Sequence, residues 1–150
     1  MLTKEAILEY YPNGQIEWRI PIEWHAFAVY RFHGEAIQYY MSSDGSLGPV
    51  KIKRNYQHGV EVGEEVIYYP DGKVMSTLQF RDGRKEGAYI FNHQDGSREE
   101  CSYEGGNFVE QSIKRFDKHG KHKDEKPEPR RETGSKKILP GDNIPSSLTR

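Results

Sequence analysis

Few residues in this sequence could do covalent chemistry, and their spacing argues against most of it. Cys101 is the one cysteine, so neither an internal disulfide nor a cysteine-rich zinc site can form. A nucleophilic thiol needs a lowered pKa and an adjacent base. Glu99, Glu100 and Glu104 instead surround Cys101 with negative charge, which raises a thiol pKa, so Cys101 reads as a packed residue. Of the six histidines, His25, His33, His58, His93, His119 and His122, three (His58, His93 and His119) fall in or beside glycine turns. A small polar residue tolerates unusual φ there. His119 and His122 lie three apart with no third ligand at metal-site spacing. Asp44, Asp71, Asp82 and Asp95 also sit at turns, where aspartate hydrogen-bonds its own backbone. No G-x-S-x-G, Walker loop, H-E-x-x-H or dinucleotide fingerprint occurs. The expectation is a protein that is not an enzyme, with no catalytic residue, no cofactor, no metal and no small-molecule substrate.

Surface recognition is better provided for. Lys51, Lys53 and Arg54 alternate with Val50 and Ile52, which puts the two lysines on one face of a strand, as expected of a charged sheet edge. There are eighteen aromatic residues, ten of them tyrosine. Consecutive side chains on a strand point to opposite faces. In each Tyr-Tyr pair, therefore, one ring serves the fold and the other is offered outward. Tyr and Trp combine large apolar area with a polar tip and anchor protein interfaces. Trp18, Trp24, Tyr39, Tyr68 and Arg84 are accordingly the residues expected to grip a partner. Cross-strand pairing that only stabilises the sheet is the competing use of the same rings.

The elements that position these residues follow from an internal repeat. Residues 34–40 (GEAIQYY) and 63–69 (GEEVIYY) share Gly-Glu at the start and Tyr-Tyr at the end, and Ile37 against Val66 is conservative. Tyr10-Tyr11, Tyr39-Tyr40 and Tyr68-Tyr69 recur 29 residues apart. Residues 63–72 then align without a gap on 87–96, and again on 111–120, at steps of 24. Each unit is an aromatic run, a turn such as Pro70-Asp71-Gly72 or Asp95-Gly96, a second run, and a second turn such as His58-Gly59, Asp82-Gly83 or Gly105-Gly106. Asp-Gly and Asn-Gly supply the positive φ that hairpin turns demand. The runs are short, rich in Tyr, Phe, Val and Ile, and partly alternating. In 73–80, Val74, Leu78 and Phe80 share a parity; Met75 breaks it, as expected at a sheet edge or interface. Residues 3–9 (TKEAILE) are the one stretch suited to a short helix, although Thr3 followed by Ala6 does not complete a capping box. The fold expected is all-β: an elongated antiparallel meander of tandem hairpins forming a twisted single-layer sheet.

Composition divides the chain. Residues 1–120 carry 14 Lys/Arg against 18 Asp/Glu, net −4, and residues 121–150 carry 8 against 5, net +3. Every aromatic lies at or before Phe116, and four prolines follow it. Residues 121–150 cannot bury enough apolar area to offset an ordering entropy of about 1–2 kcal/mol per residue, and they read as a disordered, charged tail after a repeat domain spanning 1–120. Within the tail, Ile138-Leu139-Pro140 is the one short apolar anchor. Acidic residues interrupt its basic patches and no aromatic is available for base stacking, so nucleic acid is disfavoured as a partner. No apolar run reaches the ~20 residues of a membrane span, and the first residues lack a secretory apolar core; a cytoplasmic location is expected.

With the units laid out, the sequence resembles the MORN repeat in its bacterial variant. The matching stretches are 10–20 (YYPNGQIEWRI), 63–87 and 87–106, and the pattern is degenerate between Trp24 and Val60. The resemblance covers about residues 8–120. It implies a β-hairpin repeat that binds a protein partner, either as an antitoxin that occludes a cognate toxin or as a scaffold or adaptor near a phospholipid surface. It does not imply catalysis.

Overall fold

Turn glycines and β-branched runs fold the described residues into successive hairpins. The structure, a computed structural model, describes residues 5–25 and 29–123; for Glu5 and His25 it describes the backbone alone. Eleven strands form one antiparallel sheet: β1 (Glu5–Tyr10), β2 (Ile16–His25), β3 (Val29–Phe32), β4 (Gly34–Tyr39), β5 (Val50–Gln57), β6 (Val60–Glu61), β7 (Gly63–Tyr68), β8 (Val74–Arg81), β9 (Arg84–Asn92), β10 (Arg98–Glu104) and β11 (Asn107–Phe116). The sheet runs β1-β2-β4-β5-β7-β8-β9-β10-β11. β3 and β6 lie off this path as short first arms of β4 and β7: β3 pairs with β2 and β6 with β5. Among the described residues there is no helix, hence none long and apolar enough to cross a membrane.

The repeat is visible in the hydrogen bonds. Tyr11, Tyr69, His93 and Asp117 each donate their backbone N–H across a five-residue turn, to Gln15, Lys73, Ser97 and Lys121, at 2.8–2.9 Å. Tyr40 does the same across a longer loop, to Pro49. These positions are 29, 29, 24 and 24 residues apart, the steps of the sequence. The longer loop has a geometric demand of its own: a Cβ on Gly48 would lie 1.7 Å from the Tyr40 carbonyl oxygen. The second turns dock backwards. Gly59, Gly83 and Gly106 donate to the carbonyls of Phe32, Glu61 and Lys85 in the hairpin before.

The second tyrosine of each pair ties one unit to the next. The Tyr11 hydroxyl donates to the Tyr39 carbonyl at 2.8 Å, Tyr40 to Tyr68 at 2.8 Å, and Tyr69 to Asn92 at 2.9 Å. The first tyrosines, Tyr10, Tyr39 and Tyr68, each follow a bulge in the pairing. Buried positions follow one set of cross-strand rows: Glu65, Leu78 and Tyr89 stand opposite one another, as do Ile67, Ser76 and Phe91. Ile22, Ala36, Gln38, Glu65, Ser76 and Leu78 are the most enclosed strand positions. Arg54 neutralises Glu65 with an Nε–H bond of 2.6 Å and reaches Glu61 at 3.0 Å, as a charge so enclosed requires.

Three expectations change. Residues 5–10 are strand β1, not part of a helix. A seven-residue segment cannot offset helix nucleation, whereas pairing Ile7 with Ile20 and Ala6 with Pro21 extends the sheet. Lys51 and Lys53 do not lie on an edge, because β5 is flanked by β4 and β7. Their aliphatic stems lie over the sheet, and Lys51 Nζ sits 5.6 Å from the Tyr40 ring centroid. Met75 is on an internal strand, β8, which removes the sheet edge from its two expected settings and leaves the interface. At the other end, residues 121–123 turn back on β11, with Phe116 bridging to His122 and Lys123 N–H bonding the Arg115 carbonyl at 2.7 Å. The rest of the expected tail, 124–150, lies outside the described residues.

Candidate functional site

The β2–β3 hairpin is longer than its counterparts. In the β5–β6 hairpin the last pair before the turn is Gln57 with Val60, and in β8–β9 it is Arg81 with Arg84. β2 and β3 instead continue through Glu23–Arg31, Trp24–Tyr30 and His25–Val29. The extension carries large apolar residues in the open: Trp24 is 39% exposed, Tyr30 46% and Val29 55%. Their rings form a continuous series that returns to the sheet, edge-to-face at both ends and tilted between Tyr30 and Phe32. Trp24 to Tyr30 is 6.0 Å between centroids, Tyr30 to Phe32 6.5 Å, and Phe32 to Tyr56 5.4 Å. Such pairs contribute about 0.5–1.5 kcal/mol each beyond area burial, so the arm is held in shape while its outer rings stay available.

A second aromatic group lies towards the other end. Tyr89 meets Tyr103 at 6.4 Å and Tyr103 meets Phe108 at 5.8 Å, with Lys85 over the Tyr103 ring. Together with Cys101, Ile113 and Arg115 they line a shallow pocket of about 250 Å³. Burial first, and then the charge of Glu99, pushes the Cys101 thiol up, the direction expected from its neighbours. A thiol held in that form is a poor nucleophile.

The five residues expected to bind a partner do not form one patch. Trp24 is in the exposed arm. Trp18 is on the same strand but stands opposite Glu9 and Gln38, partly covered. Tyr39 and Tyr68 close β4 and β7, where their carbonyls receive the tyrosine bonds described above. Arg84 opens β9, exposed and beside Gly106. β2 and β9 are five strand steps apart in the sheet, about 24 Å at ~4.8 Å per step. Sequence reasoning missed Tyr30, Phe32 and Tyr56, because no repeat marks them. The alternation of Tyr30 and Phe32 in the run 29–32 was the available signal.

Sequence reasoning also missed a polar group at the base of the arm. Glu23 of β2, His33 between β3 and β4, and His58 in the β5–β6 turn bring one ligand atom each within 4.8 Å of one another. A hydrogen bond from His58 is the chief cause of a Glu23 carboxyl held below its usual range, with the His33, His58 and Arg31 charges adding to it. Spacings of 10 and 25 residues give no local pattern; only the docking of one hairpin turn on the preceding hairpin unites them. Comparison with protein-family models and with curated proteins gives no match.

Proposed function

We propose that this chain is a protein-binding β-repeat module that seats a partner on the exposed aromatic arm of β2 and β3. The observation that carries the reading is the Trp24–Tyr30 surface, a cross-strand pair of aromatic side chains left open on one face of a hairpin longer than the fold needs. Trp and Tyr are the residue types that most often dominate binding energy, in clusters bordered by polar side chains. An interface of ordinary size, about 800 Å² per side, would extend from the arm along Phe32 and Tyr56. With net −4 over residues 1–120, a basic partner is favoured in encounter. The resemblance noted in the sequence supports an antitoxin-type role, in which the partner is a cognate toxin silenced by steric cover.

The test is affinity purification with tagged full-length protein, followed by titration of the isolated partner. Trp24→Ala and Tyr30→Ala should each weaken binding by about 10-fold or more, at ≥ 1.4 kcal/mol per decade, while far-UV circular dichroism stays unchanged. Trp18→Ala, at a partly covered position between β1 and β4, should lower thermal stability instead. Equal affinity in the two arm variants would refute this placement of the interface.

A further inference from the structure

We infer that Glu23, His33 and His58 form a binding site for a divalent transition-metal ion, with zinc the best match to two imidazoles and one carboxylate. The argument begins with the turn. His58 adopts a φ of +51°, a conformation that Gly accepts freely and that Asn, Asp and His accept more readily than other residues. The equivalent turns use those types, Asp82-Gly83 and Gly105-Gly106. His58 at this place brings its Nδ1 against Glu23 Oε1.

His33 supplies the second imidazole. It occupies the bend between a short arm and its main strand, as Val62 does between β6 and β7, and Glu86 holds the matching position before a glycine within β9. In the last of these, Glu86 Oε2 accepts the N–H of Gly105. His33 Nδ1 plays the same part, accepting the His58 N–H at 3.4 Å. The same nitrogen stands 3.3 Å from Glu23 Oε2. A cation shared by all three groups holds that arrangement, as a proton on each ring would.

A metal ion satisfies all three groups together. Zinc bonds of ~2.0–2.1 Å in a tetrahedron place ligand atoms about 3.3–3.4 Å apart; Glu23 and His33 stand 3.3 Å apart, and His58, in closer contact with Glu23, draws back to take its place around the ion. The donor set of two neutral imidazoles and a carboxylate is one that zinc and its first-row neighbours accept. Arg31, opposite Glu23 in register, is a positive charge beside the carboxylate that opposes a cation there. The ring of His58 is 58% exposed, so the outward side of the ion is open to water. The three ligands come from three separate elements, so an occupied site would clamp the root of the aromatic arm to the β5–β6 turn.

The test uses the full-length protein, freed of metal by a chelator and titrated with zinc against a chromogenic competitor at neutral pH. One zinc per chain is expected, and cobalt(II) in its place should give visible absorption bands of a low-coordinate nitrogen–oxygen site. His58→Asn keeps a residue suited to the left-handed turn and should weaken zinc binding at least tenfold, as should Glu23→Gln. His119→Asn, in a turn remote in sequence, should leave it unchanged. Absence of stoichiometric zinc, an unaltered affinity in His58→Asn, or an equal loss in His119→Asn would each overturn the site.

Discussion

At the scale of single residues, the turns show how much work one aspartate does. In the long loop between β4 and β5, Asp44 Oδ1 receives Ser42 Oγ–H at 2.5 Å, Ser46 Oγ–H at 2.6 Å and Ser46 N–H at 2.9 Å. These donors, Ser42 first, hold the carboxyl down at about 2 against an ordinary value of 3.8. A carboxyl lowered on folding stabilises the folded state above its unfolded value, and that contribution disappears as pH falls through the folded one. Asp44 therefore steadies the loop fully above pH 3.8 and ceases to do so near pH 2. The Ser46 amide proton, followed by NMR through an acid titration, should shift with a midpoint near 2. A midpoint at the ordinary carboxylate value would mean that the three bonds do not persist in solution. Asp71, Asp95 and Asp117 repeat the arrangement in the shorter turns, each accepting from a backbone N–H two residues on and each held below the usual range, by Lys73 N–H, Ser97 Oγ–H and Lys121 N–H first.

At the scale of elements, coupling between hairpins rests on the tyrosine rungs. Tyr40 Oη reaches over to the Tyr68 carbonyl from a partly buried position, where a neutral hydrogen bond contributes about 0.5–1.5 kcal/mol. Tyr40→Phe keeps the ring and removes the rung. It should destabilise the protein by about 1 kcal/mol in urea unfolding, with the sheet's circular dichroism unchanged; an unaltered midpoint would show that water replaces the bond at no cost. This division of labour within each Tyr-Tyr pair was only half legible beforehand. The 29- and 24-residue steps and the Gly turns were in plain view, because turn chemistry is local and hairpin length follows from it. Which tyrosine tied the units and which ended a strand depended on bulges at Glu9/Tyr10, Gln38/Tyr39 and Ile67/Tyr68, which shift the alternation without a sequence mark. The same limit explains residues 5–10, where a helix-compatible run was claimed by its strand partner, and Lys51 and Lys53, whose charge suggested an edge that pairing on both sides removes. Glu23, His33 and His58 were illegible as a group for a further reason. Their proximity arises only when Gly59 donates to the Phe32 carbonyl and so seats one turn on the previous hairpin.

At the scale of the molecule, an open sheet in which each strand touches only its neighbours behaves as a one-dimensional array, and stability is a sum over units and their junctions. The sum is uneven here. Among the described residues, every buried one lies between Gln15 and Ser97. The rungs stop as well: Tyr11, Tyr40 and Tyr69 have His93 as their successor, and its ring packs on Phe91 and approaches Glu99 at 3.6 Å instead of reaching the next unit. β11 then pairs with β10 alone among the long strands, across an irregularity at Glu100/Ser102. Local opening follows low burial and weak junctions, so β10 and β11 should open before β4 to β8. Native-state hydrogen exchange should give the amides of Ile52, Thr77 and Leu78 the highest protection and those of Tyr103 and Val109 clearly less. The rung itself can be tested by restoring it. Tyr69 bonds the carbonyl 23 residues on, at Asn92, and the same reach from position 93 ends on Phe116. His93→Tyr should therefore raise the protection of β11 by up to about tenfold, the equivalent of one hydrogen bond. The exposed His93–Glu99 contact that it sacrifices contributes little. Equal protection along the whole sheet in the native chain, or no gain in the variant, would mean that the array unfolds as one cooperative block and that the tyrosines do not set its junctions.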